Sequence, residues 1–392
     1  MIYLLRYLLG GTIMSEKNIY YTKGKVEQKV DAKFLKNEMA QFLQIENLNF
    51  LMGAGCSSNI VDSKETAIPG MGALYDDFFN ENPDFKIAGQ DVKDCFDRNL
   101  EKMLEVMGSV KVTNQIYDID KDIDESIKKV QKYIRNRIIG GLDGLEVLDF
   151  YKEFYLKSVR KGRKTPINIF TTNYDLYNEK ALDELGFPYN NGFTGTYNRH
   201  FNPISYRYAF VENMNLTKDV WERVSTYYNL FKLHGSISWV KRDEQIWETN
   251  YNFINDTDTV MIYPTPLKDR TTLMTPYSDM FRGMENALMH KNSTLITMGY
   301  SFGDEHINRV ILNSLAIPTF RLVVFGQSEA INKLKLLGDN RIIVINSNEK
   351  IQYFKNIVKD VMPDIQQELE EEMKLAPVSK IIKDFESEVP NE

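Results

Sequence analysis

Short apolar runs that end in polar turns constrain this chain more than any other feature. Leu48-Asn49-Phe50-Leu51-Met52 comes first, and Ile167-Asn168-Ile169-Phe170-Thr171 follows much later. Leu230-Phe231-Lys232-Leu233, Val260-Met261-Ile262-Tyr263 and Thr294-Leu295-Ile296-Thr297-Met298 continue the series. Arg321-Leu322-Val323-Val324-Phe325 and Arg341-Ile342-Ile343-Val344-Ile345 close it. Runs of this length, nearly unbroken by polar residues, predict strands buried on both faces of a parallel sheet. Helical patterns at Asp304 to Leu315 and Ser328 to Leu337 complete strand–helix units.

The expected fold class is therefore α/β: a doubly wound (Rossmann-like), mostly parallel sheet. From about Phe85 to Lys164 no strand is expected. Ile116, Ile119, Ile123, Ile127 and Val130 recur there at helical spacing, which predicts a helical insertion packed on the sheet domain. Between Phe187 and Phe210 eight aromatics fall within 24 residues, read as an ordered loop against the core rather than a base-stacking surface. Three regions follow: an extension over residues 1–31, an NAD-binding domain over 32–350 with its insertion, and a helical acidic tail over 351–392. The NAD assignment of the middle region rests on the resemblance given below.

Charge and cysteine usage exclude several classes. From Asp360 to Glu392 there are ten acidic and three basic residues, so the formal charge of −7 belongs to the tail and the body is neutral. A neutral body gives no global electrostatic footprint for nucleic acid. Cys56 and Cys95 alone cannot build a four-thiolate zinc site or a disulfide framework, and they point to a reducing compartment. No run is long enough to span a membrane. The apolar stretch Ile2 to Met14 is interrupted by Arg6 and fits an upstream start, with Met14 beginning the protein. The cytoplasm is the expected location.

Four strand ends carry candidate chemistry. The first strand runs into Gly53-Ala54-Gly55-Cys56-Ser57, a glycine turn whose following helix would offer free amides to a phosphate. No Gly-Lys-Ser/Thr loop occurs, which argues against ordinary NTP hydrolysis. The second is Thr171-Thr172-Asn173-Tyr174-Asp175, where Asp175 could equally cap a helix starting at Leu176. The third is Leu233-His234-Gly235-Ser236, and the fourth Gly299-Tyr300-Ser301-Phe302-Gly303-Asp304. Polar residues at the carboxyl ends of parallel strands stand where doubly wound folds bind ligands.

In order and placement these motifs resemble the sirtuin-like superfamily, with its Gly-Ala-Gly-x-Ser, Thr-x-Asn-x-Asp, Leu-His-Gly and Gly-x-Ser. Gly192-Phe193-Thr194-Gly195 is similar to the bacterial branch, and Ala67-Ile68-Pro69 resembles the proline segment that covers the nicotinamide pocket. The chain departs from the deacylases of the superfamily in two ways. It lacks the four-cysteine zinc module, and it lacks the arginine that follows the proline, reading Gly70-Met71-Gly72 instead. The resemblance therefore implies the zinc-free branch associated with NAD hydrolysis in anti-phage defence, and a subunit like the one that accompanies a HerA-type ATPase. NAD is implied as substrate, without zinc, in a homo-oligomer.

The resemblance also implies roles. Asn173 positions the ribose hydroxyls and attacking water, His234 acts as base, and Asp175 orients or electrostatically supports the site. Gly53, Ala54, Gly55 and Ser57 cradle the pyrophosphate, with Pro69, Thr172 and Gly235 completing the pocket. Gly299, Ser301 and Phe302 border the adenosine half. Two rivals stand beside hydrolysis: an NAD-dependent deacylase or ADP-ribosyltransferase, and a non-enzymatic NAD- or ADP-ribose-binding oligomerisation module. His200, His290 and His306 share no metal-ligand spacing.

Overall fold

The structure, a computed structural model, describes residues 18–364 except 62–63, 118, 161, 216–219, 244, 255–258 and 263–274. The segment Ile2 to Met14 and the acidic tail from residue 365 onward lie outside the described residues. Among the described residues no helix is long and apolar enough to cross a membrane.

Nine strands form one sheet. They are β1 (Ile19–Lys23), β2 (Val26–Val30), β3 (Asn47–Met52), β4 (Ile167–Thr171), β5 (Tyr189–Asn190), β6 (Tyr228–Lys232), β7 (Ser293–Met298), β8 (Arg321–Phe325) and β9 (Ile342–Ser347). Their order is β2-β1-β9-β8-β7-β3-β4-β6-β5. The strands from β9 to β5 run parallel, and β1 joins β9 antiparallel. Leaving aside the two-residue β5, the parallel strands follow the 3-2-1-4-5-6 order of a doubly wound sheet. The order reverses between β3 and β7. The chain leaves β3 and β7 toward opposite faces of the sheet, and it is at such a reversal that doubly wound folds bind ligands outside the carboxyl ends.

Alternate side chains of these strands feed two apolar layers, which explains the unbroken apolar runs. Phe50, Ile169, Leu230, Ile296 and Val323 face one layer, and Leu51, Phe170, Phe231, Leu295 and Val324 the other. The first layer is covered by α1 (Ala32–Leu43), α2 (Met71–Glu81), α3 (Leu100–Thr113), α4 (Ile123–Gly141), α5 (Leu145–Ser158) and α6 (Tyr177–Leu185). The second is covered by α7 (Tyr277–Leu288), α8 (Glu305–Ser314) and α9 (Glu329–Leu336). Asp304 and Ser328 cap α8 and α9 through their side chains, at the starts the sequence predicts.

The structure differs from the sequence reading in several places. Residues 19–30 form β1 and β2, with Ile19 and Tyr21 buried, so the sheet extends into the N-terminal extension. Ile116 and Ile119 are exposed in the turn between α3 and α4, because Asn114 Oδ1 accepts from the amides of Ile119 and Asp120 and holds the chain out of the helix. Within the insertion, Lys86–Ile87 and Gln90–Asp91 make a short hairpin.

The Val260 run is a strand, Thr259–Ile262, but it lies in a second, antiparallel sheet with Gly235–Arg242, Gln245–Glu248, Arg199–Phe201 and Phe193–Thr194. Trp239, Phe193 and Ile246 of this sheet join the second apolar layer. Beyond β9, Ile351, Phe354, Ile357, Val358 and Val361 are buried, so the chain after residue 350 begins by docking on the core.

Candidate active site at the carboxyl ends of the strands

The two glycine turns meet at the switch point. The Gly53 amide donates to Met298 O at 2.9 Å and the Gly55 amide to Gly299 O at 3.0 Å. A Cβ on Gly53 would stand 2.4 Å from Gly299 O, and one on Gly55 2.9 Å from Gly299 Cα. Gly299 adopts φ +61°, and its Cβ would stand 2.5 Å from the Cys56 nitrogen. These glycines are required by the close approach of two backbones.

No α-helix follows the first turn. Residues 54–56 make a 3-10 turn, the hairpin Ser58–Val61/Lys64–Ala67 comes next, and α2 starts only at Met71. The expected helix N-terminus for a phosphate is therefore displaced. The amides of Gly53, Gly55, Cys56 and Ser57 are engaged within the fold, the last two by Gly53 O and Ala54 O. The hairpin returns so that the Ile68 amide donates to Ser57 O at 3.2 Å, which brings half-buried Pro69 back beside the turn.

Asn173, Ser57 and Asp175 form one hydrogen-bonded cluster, and its directions can be worked out. Asn173 Nδ2 lies 3.0 Å from Gly53 O, which only accepts, and this fixes the orientation of the amide. The same nitrogen donates to Ser57 Oγ at 2.8 Å. Ser57 Oγ lies 2.6 Å from Asp175 Oδ2, a carboxylate that accepts, so the serine proton points there. Tyr151 OH, 3.1 Å from Ser57 Oγ, must then be a donor. Burial, with the Asp175 charge second, pushes the Tyr151 phenol well above its ordinary range and keeps that proton in place.

The helix starts at Tyr177, one residue later than expected, and Leu176 rather than Asp175 is its cap. Asp175 Oδ1 still accepts from the Tyr177 amide at 3.0 Å and so supports the helix start as well as the cluster. Both amide protons of Asn173 are committed, leaving Oδ1 as the atom that can accept from a ligand. Exposure is 7% for Asn173, 8% for His234, 2% for Asp175 and 1% for Ser57. All four are buried, Asn173 and His234 slightly less so than Asp175 and Ser57.

The histidine turn lies alongside. The Leu233 amide donates to Thr171 O at 2.8 Å and the Ile237 amide to Tyr174 O at 3.0 Å, with Gly235 at φ +97° making the bend. The Thr172 amide donates to Met52 O at 3.1 Å, which ties the second motif to the first strand. His234 Nε2 stands 3.0 Å from Asp304 Oδ2. Nothing in the sequence joins these two residues, which are 70 positions apart. In the sequence Asp304 is marked only as the last residue of the fourth strand-end motif and the start of a helical pattern.

The insertion reaches the site as well. Tyr151 comes from α5, and Tyr174 OH donates to Glu101 in the first turn of α3. Beneath the site, buried Lys232 donates to Asp175 O and lies 3.1 Å from Glu179 Oε1. Burial raises the Glu179 carboxyl to about 6 despite the opposing Lys232 charge.

A cavity of about 540 Å³ opens beside the switch point. Gly55, Gly299, Ser301, Gly326, Ser328 and Tyr353 are among its lining residues. Its size suits a small-molecule ligand. Of the expected site residues only Gly55, Gly299 and Ser301 line it; Gly53, Ala54, Ser57, Pro69, Thr172, Asn173, Asp175, His234, Gly235 and Phe302 do not. Phe302 has a packing reason. That residue is buried at φ +62° in the second apolar layer, 4.9 Å from the Tyr300 ring. Cys56 is buried and donates to Met298 O at 3.2 Å; burial and the Asp175 charge push its thiol well up, so it stays protonated. Among the described residues no group of His, Cys, Asp and Glu is placed to hold a metal ion.

A comparison with curated proteins finds no match. The SIR2-like domain family, a superfamily of NAD-dependent enzymes, matches residues 167–345, the stretch that carries Asn173, Asp175, His234, Ser301 and Asp304, and this supports a sirtuin-like family for the chain.

Proposed function

We propose that this chain is an NAD glycohydrolase that cleaves NAD to nicotinamide and ADP-ribose. The observation that carries this reading is the placement of Asn173 and His234. Their turns are joined by backbone bonds between residues 171–174 and 233–237, and Asn173 Nδ2 reaches Gly53 O in the turn that packs on the cavity-lining Gly299.

The reaction asks little of the protein. Nicotinamide leaves from a cationic ring, so it needs no proton. As the C1′–N bond breaks, its electron pair neutralises the pyridinium, and water forms the new C1′–O bond. The protein must hold the ribose, place the water and receive one proton. Asn173 Oδ1 accepts from a ribose hydroxyl or the water, and His234 takes the proton. The cavity lined by Gly299 and Ser301 receives the adenosine half, with Gly55 at its edge.

A role in anti-phage defence by NAD depletion, a homo-oligomeric state and a HerA-type ATPase partner belong to the same proposal. They rest on the resemblance of the motifs alone. The test is incubation of the purified chain with NAD, with and without such an ATPase, while free nicotinamide and ADP-ribose are followed. Asn173→Ala and His234→Ala each abolish release. Turnover unchanged in both variants refutes the assignment, and product carrying an acyl or protein acceptor in place of water redirects it to transfer chemistry.

A further inference from the structure

We propose that Asp304 is a positioning residue for His234, fixing the tautomer in which the imidazole can accept a proton. The inference rests on the hydrolase reading for its catalytic consequence, but its structural core does not.

The two carboxylate oxygens of Asp304 do different work. Oδ1 accepts from the amides of His306 and Ile307, at 2.8 and 3.1 Å, and so caps α8. Oδ2 faces His234 Nε2 at 3.0 Å. Two amides and the positive end of a helix favour the negative charge at this position. An ionised carboxylate can only accept, so Nε2 carries the ring proton and Nδ1 keeps its lone pair. When Nδ1 takes the proton from the attacking water, the imidazolium formed is stabilised by the carboxylate beside it. The surroundings hold the pair in place. Asp304 is fixed by the helix it caps, and Tyr300 OH donates to Asp304 O at 3.3 Å. Both side chains are mostly shielded, at 10% and 17% exposure, which strengthens their interaction relative to water.

Asp304→Asn separates the two functions. An asparagine still caps the helix through Oδ1 but presents an amide donor where Oδ2 stood. Nitrogen-15 NMR of the imidazoles, with four histidines in the chain, reports which nitrogen of His234 is protonated. The wild type is expected to carry the proton on Nε2, and the Asn variant on Nδ1, with no loss of thermal stability. Its kcat falls on the order of 10⁴-fold, as loss of an orienting carboxylate does elsewhere, while KM changes less than about twofold, since the ribose contacts remain.

Asp304→Ser, which keeps a cap but cannot reach the ring, is a second variant and loses kcat similarly. The same tautomer in wild type and Asn variant overturns the proposal, as does an unchanged kcat in both. If the wild type does not hydrolyse NAD at all, the hydrolase reading fails, and the tautomer measurement still decides the pairing.

Discussion

Gly53 and Gly299 stand in direct backbone contact where the strand order reverses. A methyl on Gly53 would lie 2.4 Å from Gly299 O, 2.7 Å from Tyr300 Cα and 2.9 Å from Gly299 C. The two turns that border the cavity are thus one unit, and the absence of side chains lets β3 and β7 keep their register to the last residue, Met52 opposite Met298.

Gly53→Ala should therefore force the turns apart. Backbone atoms surround the added methyl, so no side chain can swing away, and a loss of about 1–3 kcal/mol is expected. Urea unfolding should show a lower midpoint at unchanged slope. Gly140 in α4 is the control. Nothing lies within 4 Å of a Cβ there, and Gly140→Ala should raise stability by a few tenths to about 1 kcal/mol. Equal effects in both variants would mean that the contact does not constrain the fold.

Ser57 tests action from behind the site. At 1% exposure it cannot touch a ligand, yet it joins Asn173, Asp175 and Tyr151. Ser57→Ala leaves buried donors and an acceptor short of a partner, at a cost of about 1–3 kcal/mol. It also leaves Asn173 held by Gly53 O alone, and a fall in NAD turnover of up to about 10²-fold is expected from the looser placement. A steady-state assay in parallel with thermal melting checks this. Full turnover in a folded variant would remove Ser57 from the site.

Thiol chemistry gives a faster check. Cys95 is exposed and Cys56 buried, with its thiol held protonated by burial. A thiol reagent at neutral pH should modify one cysteine in the native protein and two in guanidinium. Mass spectrometry after digestion identifies which. Rapid native labelling of Cys56 would contradict the packing of the glycine turn.

The sequence discloses these features unevenly, for physical reasons. Ile167–Thr171 and Arg321–Phe325 are legible to the residue because burial on both faces leaves few polar residues, Asn168 and the exposed Arg321 among them, in otherwise apolar runs. The helix starts after Asp304 and Ser328 are legible because a cap is a local signal. Strand direction is not local. The Val260 run looks like the parallel strands but pairs antiparallel with Gly235–Arg242. β2 is also hidden: Val26-Glu27-Gln28-Lys29-Val30 is mostly exposed and carries no apolar face. In the site, Asn173, Asp175 and His234 stand out at strand ends, whereas Tyr151, Glu101 and the pairing of Asp304 with His234 depend on tertiary placement.

The buried pair under the site gives a stability signature with a definite sign. The Glu179 carboxyl is raised by burial to about 6, above its ordinary 4.5. A group raised on folding contributes stability that is fully present below its unfolded value and is lost as pH rises through its folded value. The window is therefore about pH 4.5 to 6, and the shift corresponds to about 2 kcal/mol. Other carboxylates titrate in the same range, so the comparison must be with Glu179→Gln, which mimics the protonated side chain. At pH 4.5 the two proteins should be nearly equal in stability. At pH 7 the wild type should have fallen behind by about 2 kcal/mol, because the attraction of Lys232 does not fully offset the desolvation of the carboxylate. Urea midpoints measured across this range decide the matter. Parallel curves for the two proteins would place the Glu179 carboxyl at its unfolded value and remove the desolvation argument for this pair.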